Sequence, residues 1–193
     1  VQSQTLVGAL TGTDLICAGD MASMRLSEST GDIVRWEDST ATHGWSTINH
    51  LSSIYDTGLL NESTCYRVFV KSGACPESAS NIHCVRVAGV SGGGTIIPGQ
   101  NVCVGQTPQR LTLTDYVGAV LQWETSTGCT GVWTTIANTT DSYDPPAQTE
   151  RTCYRVLMQS ANCPQSYSAV REIGVDELIV GGALPADSTI CAG

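Results

Sequence analysis

The sequence predicts an all-β protein made of two tandem β-sandwiches stapled by disulfides. Three observations lead there: a segment of about 86 to 88 residues is spelled twice, apolar residues alternate with period two between turn-forming clusters, and nine cysteines serve a chain with one Phe.

The repeat is plainest in the pentapeptide TCYRV, which stands at Thr64 to Val68 and again at Thr152 to Val156. Around it, Ile16-Cys17-Ala18-Gly19 returns as Val102-Cys103-Val104-Gly105 and a third time as Ile190-Cys191-Ala192-Gly193. IVRWE at Ile33 answers VLQWE at Val120, GWSTI at Gly44 answers VWTTI at Val132, and Cys75-Pro76 answers Cys163-Pro164. The phase of these motifs places one unit at 8–93 and a second at 94–181, with 1–7 as the tail of a preceding repeat and 182–193 as the start of a following one. The expectation is a window cut from a longer array, its partners being neighbouring repeats of the same chain.

Each unit has the size of a small sandwich domain, whose modest core gains from covalent constraint. Nine cysteines without metal-ligand spacing point to an oxidising, extracellular setting. A net charge of −9 with one lysine, Lys71, argues against a nucleic-acid partner. No apolar run approaches a membrane span, so no membrane insertion is expected of this segment.

In unit one the alternation predicts seven short strands: Leu15 to Cys17, Met24 to Ser27, Asp32 to Asp38, Trp45 to Asn49, Ser53 to Tyr55, Thr64 to Val70 and Ile82 to Ala88. Gly, Asn, Asp, Ser and Pro clusters separate them, as turns require. Seven strands, with a Trp on the third and a Tyr on the sixth, indicate tandem immunoglobulin-like β-sandwich domains of about seven strands each. The short link from Gly89 to Gly94 predicts a stiff junction between them.

Strand parity then bears on the cysteines. With Tyr66 and Val68 inward, Cys65 faces outward; with Val85 and Val87 inward, so does Cys84, which makes a cross-strand Cys65–Cys84 bridge sterically reasonable. Unit two has no counterpart of Cys84 but carries Cys129 after the Trp123 strand, close in such a sheet to Cys153, and Cys129–Cys153 is expected there. The remaining pairs, Cys17 with Cys75 and Cys103 with Cys163, are expected to tie the first strand of each unit to its own last hairpin. Cys191 is left for a partner outside the chain. Four cysteines per unit permit three pairings, and sequence leaves that choice open.

These motifs together resemble the tandem immunoglobulin-like repeats of giant Bacteroidota cell-surface adhesins, including SprB-type gliding-motility adhesins exported by the type IX secretion system. The likeness spans nearly the whole chain. It implies a non-enzymatic segment of a long extracellular surface adhesin that serves as spacer and adhesive stalk, with surface polysaccharide or other cells as partners. The alternatives are a structural subunit of an extracellular filament or sheath, and an accessory carbohydrate-binding module.

Individual residues add candidates. Trp45 and Trp133 hold the same repeat position and suit either a sugar-stacking ligand contact or packing at the sandwich rim. Asp38-Ser39-Thr40 and Asp187-Ser188-Thr189 match the short Asp-Ser/Thr acceptor of Bacteroidota, marking Ser39 and Ser188 as candidate O-glycosylation sites; Asn61 and Asn138 open Asn-linked sequons. Glu37 with Arg67, and Glu124 with Arg155, are expected as exposed cross-strand ion pairs. His43, His50 and His83 lack counterparts in unit two and any metal-ligand spacing, Asp141 and Asp144 lack the remaining ligands of a calcium loop, and no catalytic motif occurs, so no catalytic residue, metal or cofactor is expected. Lys71 has outward parity and is matched by Gln159, which argues against an isopeptide crosslink.

Overall fold

The computed structural model describes residues 4–177. Unit one contains β1 (Ala9–Gly12), β2 (Leu15–Cys17), β3 (Ser23–Ser27), β4 (Asp32–Ser39), β5 (Ser46–Ile48), β6 (Ile54–Asp56), β7 (Thr64–Lys71), β8 (Ser78–Ala79) and β9 (His83–Ala88). Unit two contains β10 (Gly92–Ile97), β11 (Gln100–Cys103), β12 (Leu111–Val117), β13 (Ala119–Thr127), β14 (Thr134–Ile136), β15 (Ser142–Tyr143), β16 (Thr152–Gln159), β17 (Ser166–Tyr167) and β18 (Arg171–Asp176). The described residues contain no helix.

Seven strands of unit one fall where the alternation puts them; β1 and β8 are additional. In each unit the opening segment crosses between sheets. β1 pairs with β3, and β2 joins the other sheet parallel to β9, giving orders β1-β3-β6 and β2-β9-β7-β4-β5 with β8 beside β7. Unit two repeats this as β10-β12-β15 and β11-β18-β16-β13-β14 with β17 beside β16.

Trp36 and Trp123 are fully buried at the centre of the two cores. In unit one Trp36 lies among Leu10, Met24 and Leu26 from one sheet and Tyr66, Val68, Val70 and Val85 from the other; Ile96, Leu111, Leu113, Tyr154, Val156, Met158 and Ile173 take these places in unit two. Each indole N–H donates to a backbone carbonyl, Ser52 at 3.0 Å and Thr140 at 2.9 Å, so neither Trp buries an unpaired donor. Register shifts at Ile33/Arg35 and Val120/Gln122 leave Val34 and Leu121 as bulge residues at equivalent positions. Just before these strands Gly31 and Gly118 both have φ of 116°, and a Cβ there would meet a backbone carbonyl oxygen at 2.6 and 2.7 Å, which fixes glycine at that turn.

Strand direction gives each sandwich two distinct poles. β9 runs antiparallel to β7 and ends at Ala88, beside Cys17, at the downstream pole, where the chain leaves for unit two. The far end of β7 and the Cys75-Pro76 turn lie at the upstream pole. Three residues, Gly89 to Ser91, separate β9 from β10.

Candidate functional site at the unit junction and on the outer sheet face

The Cys17 sulfur is bonded to Cys163, at a Cα separation of 5.6 Å and a sequence separation of 146 residues, so this bridge joins the two units. The expected Cys17–Cys75 and Cys103–Cys163 pairings are corrected by it. The reason is polarity. Ala88, beside Cys17, lies three residues beyond the Thr64↔Val85 pair, and Lys71 lies seven residues from Thr64 in the opposite direction, about 30 Å overall at the usual rise per residue. A unit's own Cys-Pro turn is therefore out of reach of its Cys17, whereas the turn of the next unit is adjacent. Cys163 is fully buried at that contact, and Cys103 is an exposed thiol at the downstream pole of unit two. Ser91 in the linker reinforces the turn, its hydroxyl accepting the Ser160 N–H at 2.9 Å. A cleft of about 370 Å³ beside the bridge is lined from unit one by residues including Leu15 and Met21, and from unit two by Ala161 and Asn162.

The other two bridges lie within units. Cys65 is bonded to Cys84, its direct partner across β7 and β9, and Cys129 to Cys153. Each anchors the start of the TCYRV strand.

On the outer face of the larger sheet, cations stack on aromatic rings in both units. The Arg67 guanidinium lies 4.1 Å from the Trp45 ring centroid, Arg35 lies 3.8 Å from that of Phe69, and both arginines donate to Glu37 at 2.7 to 2.8 Å. In unit two Arg155 lies 4.2 Å from the Trp133 ring and 3.9 Å from the Tyr167 ring and donates to Glu124. The ion pairs are not exposed, contrary to the expectation: Glu37 retains 8% and Glu124 6% of its accessible surface, because the stacked arginines and rings roof them. Burial pushes the Glu37 carboxyl up, and the hydrogen bonds from Arg35 and Arg67 outweigh it, holding Glu37 below its ordinary value. Trp45 and Trp133 each give one ring face to a guanidinium; Trp45 keeps 37% of its surface exposed.

The remaining candidates are dispersed. The Ser39 hydroxyl donates to the His43 carbonyl, and Ser188 and Cys191 lie outside the described residues. The Asn138 side-chain amide donates to the Ser142 carbonyl, while Asn61 is exposed in a loop. Asp144 is held by both nitrogens of the Arg110 fork, and Lys71 is exposed. The histidines pin separate loops, His50 at the Ile54 carbonyl and His83 at the Thr13 carbonyl. Cys129, Cys153 and Glu172 bring donor atoms within 4.8 Å of one another, but the two sulfurs are bonded to each other and neither is a thiolate. Burial pushes the core residue Tyr66 up to about 12, and Tyr154 in the other core moves in the same direction.

Residues 6–89 and 92–177 each match the profile of a family described as a domain of unknown function, DUF8696. The chain belongs to that family. It carries two DUF8696 copies in tandem, which contain every strand among the described residues. No curated protein matches the chain significantly. Among solved structures, the three N-terminal domains of the highly immunogenic outer capsid protein of bacteriophage RB49 align at 10% identity with a TM-score of 0.54, covering 91% of this chain and 71% of that one. The fibronectin(III)-like modules of CbhA from Clostridium thermocellum align at 13% identity and a TM-score of 0.36, over 91% and 99% of the two chains. The FN1–FN3 domains of chicken CNTN1 align at 12% and 0.40, over 91% and 67%. At such identities the likeness concerns the fold alone, and the alignment with the bacteriophage domains agrees with the all-β sandwiches in tandem described above.

Proposed function

We propose that this DUF8696 pair is a non-enzymatic segment of a long extracellular surface adhesin of the Bacteroidota type, acting as spacer and adhesive stalk on the cell surface. The observation that carries the reading is the Cys17–Cys163 bridge: a bond from one repeat to the next serves a protein whose task is to hold consecutive domains in line. Disulfides of this number are maintained in oxidising compartments, which supports the extracellular placement. The polar clusters support the absence of catalysis, since their arginines and carboxylates are committed to one another and to aromatic rings. No helix among the described residues is long and apolar enough to cross a membrane. Export by type IX secretion, a part in gliding motility and glycosylation at Ser39 and Ser188 follow from the same resemblance.

Immunogold labelling of intact cells with antibody to this segment tests the proposal. Thin single fibres labelled outside the cell, together with loss of surface attachment when the segment's gene is deleted, are expected. Labelling inside the cell, or decoration of helical filaments with many equivalent chains, overturns the adhesin in favour of another location or a fibre subunit. A carbohydrate-binding role is separated by a glycan array: binding lost in both Trp45→Ala and Trp133→Ala would replace the stalk by a lectin-like module.

A further inference from the structure

The downstream pole of unit two copies that of unit one. After Cys17, Ala18 N–H donates to the Ala88 carbonyl at 2.8 Å, Gly19 N–H to the Leu60 carbonyl at 2.8 Å, and Asp20 N–H to the Cys17 carbonyl at 3.0 Å. After Cys103, Val104 N–H donates to the Asp176 carbonyl at 3.1 Å, Gly105 N–H to the Gln148 carbonyl at 2.7 Å, and Gln106 N–H to the Cys103 carbonyl at 3.0 Å. The neighbouring strand is the same as well, since Cys17 pairs with Ala88 in parallel and Cys103 with Asp176. The backbone thus presents Cys103 as it presents Cys17. The differences are that Cys17 is bridged and half-buried, while Cys103 is an exposed thiol.

The upstream poles match too. Cys163 N–H donates to the Ser160 carbonyl at 2.8 Å and Cys75 N–H to the Ser72 carbonyl at 2.9 Å. Ser160 N–H is received by the Ser91 hydroxyl at 2.9 Å and Ser72 N–H by the Thr5 hydroxyl at 3.1 Å. Both turns place their second residue in the left-handed region, Gly73 at φ 51° and Ala161 at φ 47°. The Cys-Pro turn that receives Cys17 in unit two is therefore a standing feature of the repeat.

We propose that Cys103 is the downstream half of a second inter-unit disulfide, its partner being the Cys-Pro turn of a further copy of this repeat seated on unit two as unit two is seated on unit one. Repetition of this contact makes the array a ladder in which every junction carries one such bond. The bond forms by thiol–disulfide exchange with an oxidised protein or small-molecule disulfide. Cys103 as thiolate attacks that disulfide and releases one thiol; the turn cysteine then displaces the second thiol from the mixed disulfide. Two cysteine thiols are oxidised to one disulfide, and the oxidant leaves as two thiols carrying the two protons. The inference needs only the repeat and does not depend on an adhesive role.

The test continues the intact chain at its C terminus with a second copy of residues 20–89, marked by an exposed Ile82→Val change so that its Cys75 and Cys84 peptide differs in mass from the original; the copy completes a unit in register because Cys191-Ala192-Gly193 matches Cys17-Ala18-Gly19. The protein is oxidised with glutathione disulfide, labelled with a maleimide and mapped without reduction. The expected result is a peptide joining Cys103 to the added copy of Cys75, with loss of the maleimide labelling that Cys103 shows in the chain without the addition. Formation of the added Cys65–Cys84 bridge reports that the new unit has folded. Labelled Cys103 beside a folded added unit, or Cys103 joined to any other cysteine of the same or a second molecule, overturns the proposal. In a Cys103→Ser variant, small-angle scattering should show a wider spread of distances at the second junction than at the first; equal spreads would also overturn it.

Discussion

The two units have the same strand order and differ in how they fasten it. At the start of the TCYRV strand, unit one ties Cys65 to Cys84 on the strand at one side, and unit two ties Cys153 to Cys129 in the turn after the strand at the other side. Glu172 stands opposite Cys153 where Cys84 stands opposite Cys65. The outer face shows a similar exchange. Phe69 pairs with Ala79 in unit one and Leu157 with Tyr167 in unit two, so the ring beneath the TCYRV arginine, Phe69 at 5.1 Å from Arg67 and Tyr167 at 3.9 Å from Arg155, has moved across the strand pair. What the repeat retains is a physical requirement, an anchored strand and a cation on a ring, and either strand can supply the residue that meets it.

The largest effects should be common to both units. Trp36→Ala or Trp123→Ala empties the centre of a core and should cost about 3–5 kcal/mol in that unit. Hydrogen exchange read by mass spectrometry should show lost protection in Thr64–Lys71 for the first variant and in Thr152–Gln159 for the second. Loss in both units from either variant would show that the sandwiches unfold as one body.

Next come the anchors. Removing Cys65–Cys84 or Cys129–Cys153 by paired Cys→Ser substitution should cost about 3 kcal/mol in either unit, because their sequence separations of 19 and 24 residues give similar chain-entropy terms. Denaturant titration checks this. A loss in one unit alone would break the equivalence of the two routes.

Arg35→Gln gives unit one the residue that unit two has at Gln122, whose amide donates to Glu124 at 2.7 Å, so a neutral donor replaces the Arg35 cation at Glu37 and the ion pair with Glu77 is lost. A loss of about 1 kcal/mol is expected, the net worth of one hydrogen bond, because the largely buried Glu37 keeps its Arg67 partner. It should also change the acid response. Because the folded value of Glu37 is depressed, its contribution is complete above an unfolded value of about 4.3 and is lost as the pH falls through the folded value. With one cation gone and a weaker neutral donor in its place, the decline in melting temperature between about pH 5 and 2 should be shallower in Arg35→Gln; a steeper decline would contradict the assigned cause.

The smallest effect should come from exchanging the aromatic position. Phe69→Leu combined with Ala79→Tyr reproduces the arrangement of unit two, and a double-mutant cycle should return a favourable coupling below about 1 kcal/mol. A zero or unfavourable coupling would mean that the ring cannot move across the pair.

Much of the fold was legible because it rests on local alternation. Tyr66, Val68 and Val70 are buried between less buried neighbours, as the period of two requires. Ala9–Gly12 is not legible in the alternation, since a short strand with one buried residue carries little pattern, and Ser78–Ala79 has only two residues. The burial of Glu37 was hidden because parity reports which side of the sheet a residue faces, and the cover comes from residues elsewhere in sequence. The Cys17 pairing is not legible within one unit, because its partner belongs to the next. Strand direction holds the missing signal: a cysteine ending a strand parallel to β9 and one following β7 must lie at opposite poles.

The Cys17–Cys163 bond also decides what happens when the protein is pulled from its ends. Without it, residues 4–177 drawn straight would reach about 600 Å. With it, the shortest covalent path runs from residue 4 to Cys17 and from Cys163 to residue 177, about 100 Å. If either sandwich unfolds, the slack goes into a closed ring and not into the line of tension. Arrays of unbridged domains lengthen as their members open in turn and so absorb a sudden load; this pair, as a strap does, stops lengthening once 4–17 and 163–177 are straight, and a covalent bond then carries the load.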